Sequence, residues 1–389
     1  MEQVNTYDFI IAGAGCAGLS LLYHILQEPN LCSKKILVID QNLKKSNDRT
    51  WCFWENKEGP FESLVCKKWD TISIHNNNFN KELATGAYEY KMIQGIDFYN
   101  YVINEAKQFS NITWQEVRIS EIDQIASIGV VHWENGCAHS PFVFSSILPM
   151  GTLYKLSQGN LEVPFLWQHF KGRLVEYESS VFKSNVARLM DFNVSQHGYT
   201  GFMYILPLTE KKALVEYTLF SPKLLEENKY DKEIDEYLSA AYKDKNYTIS
   251  HTEMGAIPMT QHMFDKSKAP IYVIGTLGNA VKASTGYAFH FIQEQTQQIA
   301  SQLALAKHIN TEVHTTRHSF YDGILLYILQ HKRMEGKDIF ARIFKKNEAA
   351  TIFKFLSNTS TFLEDIKIMR SLPTSIFLPA AIKLLLRRR

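Results

Sequence analysis

The sequence predicts an α/β protein that combines a Rossmann-like domain, an inserted antiparallel β-sheet and a helical C-terminal region. Residues 7–12 form a β-branched and aromatic run that leads into glycines and then into apolar residues at helical spacing. Residues 36–40 form a second apolar strand, which closes a βαβ unit. Several segments between residues 165 and 221 alternate apolar and polar side chains, as antiparallel strands do, and apolar helical faces dominate residues 306–389.

The length and composition indicate a folded protein with more than one core. The chain has 389 residues, of which 45% are hydrophobic and 21% charged, and single cores stop growing at about 250–300 residues. A formal net charge of +2 gives no bulk electrostatic reason to expect nucleic-acid binding. The five cysteines show neither a CxxC pair nor metal-ligand spacing, so we expect no metal site and a reducing compartment.

The sequence shows no pattern of a secreted or membrane-spanning protein. The N-terminal residues lead straight into the first strand, without a basic segment followed by a long apolar stretch. No run of about eighteen uninterrupted apolar residues occurs. We therefore expect a cytoplasmic protein, for which contact with a membrane surface stays open.

A glycine-rich turn joins the first strand to the first helix. It has the pattern GxGxxG and consists of Gly13, Ala14, Gly15, Cys16, Ala17 and Gly18. Glycines at these positions let the backbone approach a pyrophosphate at the positive end of a helix. Asp40 lies about twenty residues further on, where a carboxylate accepts hydrogen bonds from a ribose. The pattern predicts a site for FAD or NAD; a glycine turn that binds nothing is the alternative.

A second strand end that carries glycines favours FAD. The apolar residues 272–274 lead into Gly275 and Gly278, and a helix is predicted to start near Gly286. FAD enzymes of the glutathione-reductase class often use such a distant turn to hold the flavin end of the cofactor, whereas a simple nicotinamide dehydrogenase does not usually need it. An ordinary junction between a strand and a helix is the alternative interpretation.

These elements predict three regions, of which the first has the fold of the glutathione-reductase class. They are a discontinuous FAD-binding domain (1–75, 92–150 and 265–305), a substrate-binding domain (76–91 and 151–264) and a helical C-terminal region (306–389).

An arginine and two tryptophans crowd the segment 48–54, directly after the βαβ unit. Taken alone, the tryptophans are core or interface aromatics. The segment nevertheless resembles the one that follows the dinucleotide fold in bacterial lycopene cyclases. Further segments resemble that family in the same order along the chain, namely 168–176, 189–192, 206–207, 214–218, 253–259 and 282–287. The resemblance covers about residues 5–345.

The resemblance implies roles for particular residues. The family places an essential acidic residue in a Leu-Val-Glu-x-Thr type of segment, where it acts as proton donor to the polyene, and here that residue is Glu216. Many members have a second acidic residue beside it, a position that Tyr217 occupies in this chain. Strand periodicity alone would make Glu216 a solvent-facing residue. Asp191 and Glu253 are weaker candidates, and Arg49 would lie near the flavin or its phosphates.

The resemblance also implies the reaction. A carboxyl group that an apolar pocket keeps protonated protonates a terminal double bond of lycopene, a neighbouring double bond attacks the cation, and loss of a proton leaves a β-ring. The products are γ-carotene and then β-carotene, so the enzyme is an isomerase. Because nothing is oxidised overall, the resemblance implies reduced FAD that stabilises the cationic transition state or relays a proton, with NAD(P)H as its reductant.

Two other functional classes stay open, because fold alone does not determine function. The first is a FAD-dependent monooxygenase or prenyl reductase that acts on a lipophilic substrate. The second is a non-catalytic carotenoid carrier, which would not need Glu216. A monooxygenase consumes oxygen and a reductase adds hydrogen, whereas a cyclase leaves the elemental formula of its substrate unchanged.

The C-terminal segment fits a lipophilic substrate. From Ile366 onwards the sequence contains six basic residues and no acidic one, and the apolar residues 376–386 precede Arg387, Arg388 and Arg389. An apolar segment with basic flanks can lie on an anionic membrane, from which a carotene would be drawn, so we expect peripheral contact with the inner face of the membrane. Pro379 interrupts the segment, and a solvated helix end is the alternative.

Overall fold

The computed structural model describes residues 5–158, 163–242, 246–262, 264 and 267–387. Its strands are, in chain order, β1 (Asn5–Thr6), β2 (Phe9–Ala12), β3 (Ile36–Asp40), β4 (Thr50–Glu55), β5 (Val65–Trp69), β6 (Thr71–Asn76), β7 (Phe79–Ala84), β8 (Glu89–Gln94), β9 (Ile112–Glu116), β10 (Ile119–Ile125), β11 (Ile128–Trp133), β12 (Gly136–Ser140), β13 (Val143–Ser145), β14 (Phe165–Tyr177), β15 (Val186–Asp191), β16 (Thr200–Pro207), β17 (Lys212–Ser221), β18 (Tyr247–Thr260) and β19 (Ile271–Val273). Its helices are α1 (Cys16–Gln27), α2 (Gly95–Ala106), α3 (Met150–Ser157), α4 (Glu227–Ala241), α5 (Phe289–Ala304), α6 (Thr316–Gln330), α7 (Gly336–Lys346), α8 (Ala349–Leu356), α9 (Phe362–Met369) and α10 (Thr374–Arg387).

A five-stranded parallel sheet forms the first layer, in the order β19-β13-β2-β3-β9. Its central strands are continuous apolar runs because both faces of the sheet are covered. Helices α1 and α5 pack against each other beside this sheet, and a second sheet, β1-β12-β11-β10, lies next to it. The predicted Rossmann-like fold is confirmed, with β2, α1 and β3 as its first βαβ unit.

A seven-stranded sheet in the order β18-β14-β17-β16-β15-β6-β7 forms the inserted layer. Its pairs are antiparallel, as predicted, except that β15 pairs with β6 in parallel. A parallel pair needs a long crossover connection, and here the chain between β6 and β15 passes through the cofactor layer. The sheet includes residues 71–84, whereas β8 pairs with β4 and β5 in a separate three-stranded sheet. The domain boundaries proposed above stay predictions.

Both faces of the seven-stranded sheet are covered. Helix α4 covers one face through buried side chains at helical spacing, namely Tyr230, Ile234, Tyr237 and Leu238. The helices of the C-terminal region cover the other face, where α6, α7 and α8 contribute to a large apolar core with β6, β15 and β16. Side chains of β17 therefore alternate between two interiors rather than between an interior and water.

A buried ion pair joins the segment after β19 to the C-terminal helices. The Lys282 side chain has no exposed surface, and its Nζ lies 2.9 Å from Oδ1 of Asp322 on α6. The same Nζ donates a hydrogen bond to Oδ1 of Asn358 at 2.7 Å, and the Ser284 hydroxyl donates to Asp322 at 2.7 Å. Every charge in this cluster is therefore paired within the described residues.

Removal of one partner should destabilise the fold, because the remaining charge would be buried and unpaired. We expect Asp322→Ala to lower the free energy of unfolding by about 3–5 kcal/mol, measured by urea denaturation. Glu82→Ala is the control: Glu82 pairs with Lys183 at 2.7 Å, both side chains are largely exposed, and such pairs contribute about 1 kcal/mol or less. Equal losses in the two variants would contradict the expectation.

Candidate active site

A cavity of about 740 Å³ lies between the parallel sheet and the seven-stranded sheet. Several segments line it, and three of them carry the residues that concern the cofactor and the acid. The glycine-rich turn and the end of β3 contribute Gly13, Gly15 and Asp40; the segment after β19 contributes Thr276, Thr285 and Gly286; and the seven-stranded sheet contributes Gln168, Tyr204, Glu216 and Glu253. Residues predicted separately as cofactor ligands and as acid thus face one space.

The glycine-rich turn has the backbone that its motif predicts. Gly13 has φ +104°, a conformation that side chains rarely adopt. A Cβ on Gly18 would lie 1.9 Å from the Gly13 carbonyl oxygen, whereas a Cβ on Gly15 would meet nothing within 4 Å. Asp40 accepts a hydrogen bond from the backbone N–H of Ala14 at 2.7 Å. Gly15 therefore leaves open space in the cavity, and Gly18 permits the start of α1 to pack closely against the backbone of Gly13.

The second glycine turn contacts the first. A Cβ on Gly275, whose φ is +63°, would lie 2.6 Å from the Cβ of Ala17. Gly278 allows a tight turn, since its Cβ would lie 2.4 Å from the Val273 carbonyl oxygen. Neither glycine lines the cavity, but Gly286 does, and its φ of +74° places it close to the Gln168 side chain. Of the three predicted glycines, two therefore shape the turn and one faces the cavity.

Two buried polar atoms in this cavity have no partner. They are Oε1 of Gln168 and Oγ1 of Thr285. Buried polar atoms in proteins are almost always hydrogen-bonded, so an unpartnered pair beside Gly286 indicates a place for a polar ligand. Together with the open space at Gly15 and the carboxylate of Asp40, the residues present fit a dinucleotide that extends from the first glycine turn to the second.

Arg49 lies at the exposed rim of the cavity. Its Nη1 donates hydrogen bonds to the carbonyl oxygens of Asp48 at 2.7 Å and Met254 at 3.3 Å. The two neighbouring tryptophans differ in position. Trp51 lines the cavity and stacks on Phe289, with ring centroids 5.8 Å apart, whereas Trp54 lies in the large apolar core. The segment 48–54 therefore connects the cofactor end of the cavity to the core.

Glu216 lies on β17 and points into the cavity with only 7% of its surface exposed. The position is therefore not the solvent-facing one that strand periodicity alone would give. The Thr218 hydroxyl donates a hydrogen bond to its Oε1 at 2.6 Å. Burial raises the pKa of the Glu216 carboxyl from the ordinary 4.5 to about 8, the charge of Glu253 adds to the effect, and the Thr218 hydrogen bond opposes it.

The other acidic candidates occupy different surroundings. Glu253 lies on β18, lines the same cavity, and accepts a hydrogen bond from the Thr50 hydroxyl at 2.8 Å. Asp191 lines a separate cavity of about 790 Å³ beside α4, where the Tyr237 hydroxyl donates to it at 2.6 Å and Arg188 lies 3.2 Å away. Glu216 and Glu253 thus share a site that Asp191 does not join.

Tyr217 faces away from this site. Its ring is buried in the apolar core that α4 forms with the sheet, and its hydroxyl donates to the Ser195 carbonyl oxygen at 2.7 Å. Because neighbouring side chains of a strand point to opposite faces, an acidic residue at position 217 would also point away from the cavity. The number of carboxyl groups that face the cavity is therefore the same whether or not residue 217 is acidic.

Aromatic rings cover much of the wall around Glu216. The seven-stranded sheet contributes Phe170, Phe202, Tyr204 and Phe220, and the segment after β19 contributes Tyr287. The hydroxyls of Tyr204 and Tyr287 each lie within hydrogen-bond distance of the Tyr90 hydroxyl, at 2.5 and 2.9 Å. Aromatic faces attract a passing cation through their quadrupoles. The wall therefore combines an apolar surface with the capacity to stabilise positive charge.

A second, strongly apolar cavity of about 300 Å³ adjoins the first. Four residues line both cavities, namely Leu189, Met190, Thr285 and Tyr287. Most of the remaining wall comes from α6, α7, α8, α9 and α10, and its side chains are mainly aliphatic or aromatic. The acidic site thus continues into an apolar space beneath the C-terminal helices.

Sequence patterns did not single out several residues of this site. Thr50 and Thr218 become relevant because their hydroxyls contact the two glutamates, and the Tyr90, Tyr204 and Tyr287 cluster unites three distant segments. The spacing of Thr218, two residues after Glu216 on a strand, is a signal that predicts a shared face. No comparable local signal exists for contacts between distant strands.

Within the described residues, no group of three or more His, Cys, Asp or Glu side chains could hold a metal ion. No helix in that part of the chain is long and apolar enough to span a membrane.

The fold is that of FAD-binding flavoproteins. A geranylgeranyl bacteriochlorophyll reductase-like protein from Thermoplasma acidophilum has a TM-score of 0.61 at 10% identity, with 98% of this chain and 99% of that one covered. A p-nitrophenol 4-monooxygenase from Pseudomonas putida has a TM-score of 0.57 at 11% identity, with 98% of each chain covered. A variant of HpxO from Klebsiella pneumoniae in complex with FAD has a TM-score of 0.59 at 12% identity, with 90% of this chain and 97% of that one covered. At these identities the likeness shows the fold class.

Sequence comparison identifies the family within that class. The family profile described as lycopene cyclase protein matches residues 8–381. The chain therefore belongs to the lycopene cyclase family, and the resemblance seen in the sequence is confirmed. Curated protein sequences give no significant match.

We expect Glu216 to keep its proton at neutral pH. Infrared spectroscopy should show a carboxylic C=O band that disappears as the pH passes about 8 and is absent from Glu216→Gln. Because the folded chain keeps a proton that the unfolded chain releases above pH 4.5, the free energy of unfolding should fall between pH 4.5 and 8, by at most about 1.4 kcal/mol per unit.

Glu216→Gln should remove this part of the pH dependence. The control is Glu176→Gln, since Glu176 lies exposed on β14 beside Lys212. An infrared band that is the same in the wild type and in Glu216→Gln would contradict the assignment.

Proposed function

We propose that this protein is a FAD-dependent lycopene β-cyclase, an isomerase that converts the ψ-ends of lycopene to β-rings, through γ-carotene to β-carotene. The observation that carries the proposal is the buried Glu216 carboxyl, which faces an aromatic cavity continuous with an apolar one. Membership of the lycopene cyclase family supports the choice of substrate.

The chain's own residues suit acid-initiated cyclisation. Glu216, protonated because burial raises its pKa, would donate its proton to the terminal double bond. The aromatic wall would stabilise the resulting tertiary cation, notably the rings of Phe202 and Phe220. Exclusion of water by the apolar lining would keep the cation from being trapped as an alcohol. A neighbouring double bond then closes the ring, and loss of a proton restores neutrality.

FAD is the cofactor that the fold and cavity favour. Gly13, Gly15 and Asp40 would hold its dinucleotide part and Arg49 its phosphates, while Gly286, Thr285 and Gln168 would face the flavin end. When bound and reduced by NAD(P)H, FAD would supply negative charge that stabilises a cationic transition state without net oxidation of the substrate.

The test of the function is anaerobic incubation of the purified protein with lycopene in liposomes, FAD and NADPH. We expect a carotenoid of unchanged mass with the retention and spectrum of β-carotene. Glu216→Gln should lower ring formation by about 100-fold or more, the usual contribution of a general acid, while the visible absorbance of bound flavin stays. Glu176→Gln, the exposed control on β14, should retain activity.

Three other outcomes would point elsewhere. A product with added oxygen would favour a monooxygenase, and one with added hydrogen a prenyl reductase. Binding of lycopene without conversion would favour a carotenoid carrier. Wild-type ring formation in a folded Glu216→Gln variant would remove Glu216 from the role of acid.

We propose further that the substrate enters from a membrane surface that α9 and α10 contact. Met369 and Leu378 line the apolar cavity and are 37% and 54% exposed, so the cavity opens between these helices. The same two helices carry further exposed apolar side chains, namely Phe362, Leu363, Ile382, Leu385 and Leu386.

The charge of the C-terminal segment supports a peripheral position on the inner, anionic face of the membrane. Lys367, Arg370 and Lys383 lie among the exposed apolar side chains. Helix α10 continues through Pro379, with the carbonyl of the exposed Ser375 left without its helical donor. The basic residues Arg388 and Arg389 lie outside the described residues.

Sedimentation with vesicles of phosphatidylglycerol and phosphatidylcholine tests this surface. We expect Leu363→Glu combined with Leu386→Glu to weaken binding by about tenfold or more, because each buried leucine contributes about 1.5–3 kcal/mol. Ile125→Glu, at an exposed turn between β10 and β11, should bind as the wild type does. Unchanged binding of the double variant would exclude this surface.

A further inference from the structure

We propose that Glu253 is the base that accepts the ring proton in the last step of the cyclisation, with Glu216 as the acid of the first step. The proposal rests on the cyclase function proposed above and assigns its second proton transfer to a residue of this chain.

The two glutamates face each other across a single strand. Gly172 of β14 pairs with Glu216 of β17 on one side and with Glu253 of β18 on the other. A Cβ built on Gly172 would lie 3.6 Å from Cβ of Glu216 and 3.3 Å from Cγ of Glu253. Both side chains therefore lie on the same face of the sheet, over a residue with no side chain of its own.

Both carboxyls also face the same cavity and are equally buried. Each residue is 7% exposed and lines the space beside the aromatic wall. A larger residue at position 172 would stand between them, because its Cβ would already touch both side chains and Leu214 at 3.2 Å. The gap over Gly172 leaves the two carboxyls open to the cavity and to each other.

Their surroundings assign opposite protonation states. Two nearby carboxyls in a dry site do not both ionise, and the one in the less polar place keeps the proton. Glu216 lies in an apolar neighbourhood where burial outweighs the single hydrogen bond from Thr218, so it is the acid. Burial, with a smaller effect of Asp48, raises the pKa of the Glu253 carboxyl, but the Thr50 hydrogen bond and the nearby His251 and Arg49 side chains oppose that rise. Glu253 therefore gives up its proton more readily than Glu216, on which only the Thr218 hydrogen bond opposes burial.

Other acidic groups of the described residues are less suited to this role. Asp40 and Asp48 line the cofactor end of the cavity; Asp40 binds backbone N–H groups, and Asp48 accepts from the Tyr99 hydroxyl at 2.9 Å. Asp191 lies in a separate cavity and Tyr217 on the opposite face of the sheet. Glu253 is therefore the carboxyl group that lies beside Glu216 and can act as the base.

The proton transfers balance with these two residues alone. Glu216 gives a proton to the CH carbon of the terminal double bond, which leaves a tertiary cation on its dimethyl carbon. The second double bond attacks that cation and forms the ring C–C bond, and the new ring cation loses the proton of the carbon that formed this bond to the Glu253 carboxylate. The electron pair of the broken C–H bond becomes the ring double bond. Glu253 then holds a proton and Glu216 a charge, and transfer of that proton over Gly172 restores the starting state without an external oxidant or reductant.

The type of ring that a Glu253 variant forms distinguishes a base from a residue with only a structural role. A β-ring requires loss of one particular proton, so a cation without its base should lose a proton from other adjacent carbons. We expect Glu253→Gln to lower ring formation by about 10²-fold or more and to raise the share of rings whose double bond lies elsewhere, as seen by chromatography and NMR. Glu253→Asp should restore β-rings in part, and Glu176→Gln should give the wild-type rate and ring type.

Each outcome has one meaning. If Glu253→Gln gives no product while flavin stays bound, Glu253→Ala is assayed with added acetate, and recovery of rings supports the base. A rate or ring pattern equal to the wild type, a slower rate with only β-rings, or failure of acetate to restore an inactive variant would overturn the inference. If the wild-type protein itself forms no rings, the cyclase function fails instead.

Discussion

A carboxyl group held away from water is the constraint on which the arrangement of this molecule depends. An ionised carboxylate loses hydration when it is buried, so the group instead keeps a proton at a pH where an exposed glutamate would be charged. For Glu216 this requires a strand whose two faces are both covered, because an exposed face would let water reach the acid. Helix α4 and the C-terminal helices supply that cover on opposite sides of the seven-stranded sheet.

Segments outside the seven-stranded sheet contribute to the same enclosure. Strand β4 of the three-stranded sheet brings Thr50 to the Glu253 carboxyl on β18, while the turn after β19 brings Tyr287 to the aromatic wall. The buried pair of Lys282 and Asp322 ties that turn to α6. The ends of three layers thus enclose one cavity. The acid, its aromatic wall and the glycine turns that would hold a dinucleotide therefore depend on the same packing.

Local patterns predicted the parts of this structure that local physics determines. The turn from Gly13 to Gly18 was predictable because its glycines meet a backbone requirement within a few residues. The burial of Glu216 was not predictable from alternation, since alternation cannot tell whether one or both faces of a sheet are covered. Only the family resemblance indicated this position.

Long-range pairing accounts for what sequence reasoning missed. The partnership of Glu216 with Glu253 depends on β17 and β18 flanking β14, which no segment of the sequence records. The parallel pairing of β15 with β6 has the same origin. Such contacts join residues far apart in sequence, and the local pattern that predicts a strand does not identify the strand with which it pairs.

The register of β17 has a consequence for how sequences of this kind can diverge. Glu216 faces the cavity and Tyr217 faces α4, so a shift of one residue against β14 would exchange the two side chains. A one-residue deletion between the turn at 208–211 and Glu216 would therefore bury the acid against α4 and place a phenol in the cavity. Along this strand, a change in length would therefore disturb the site more than most single substitutions would.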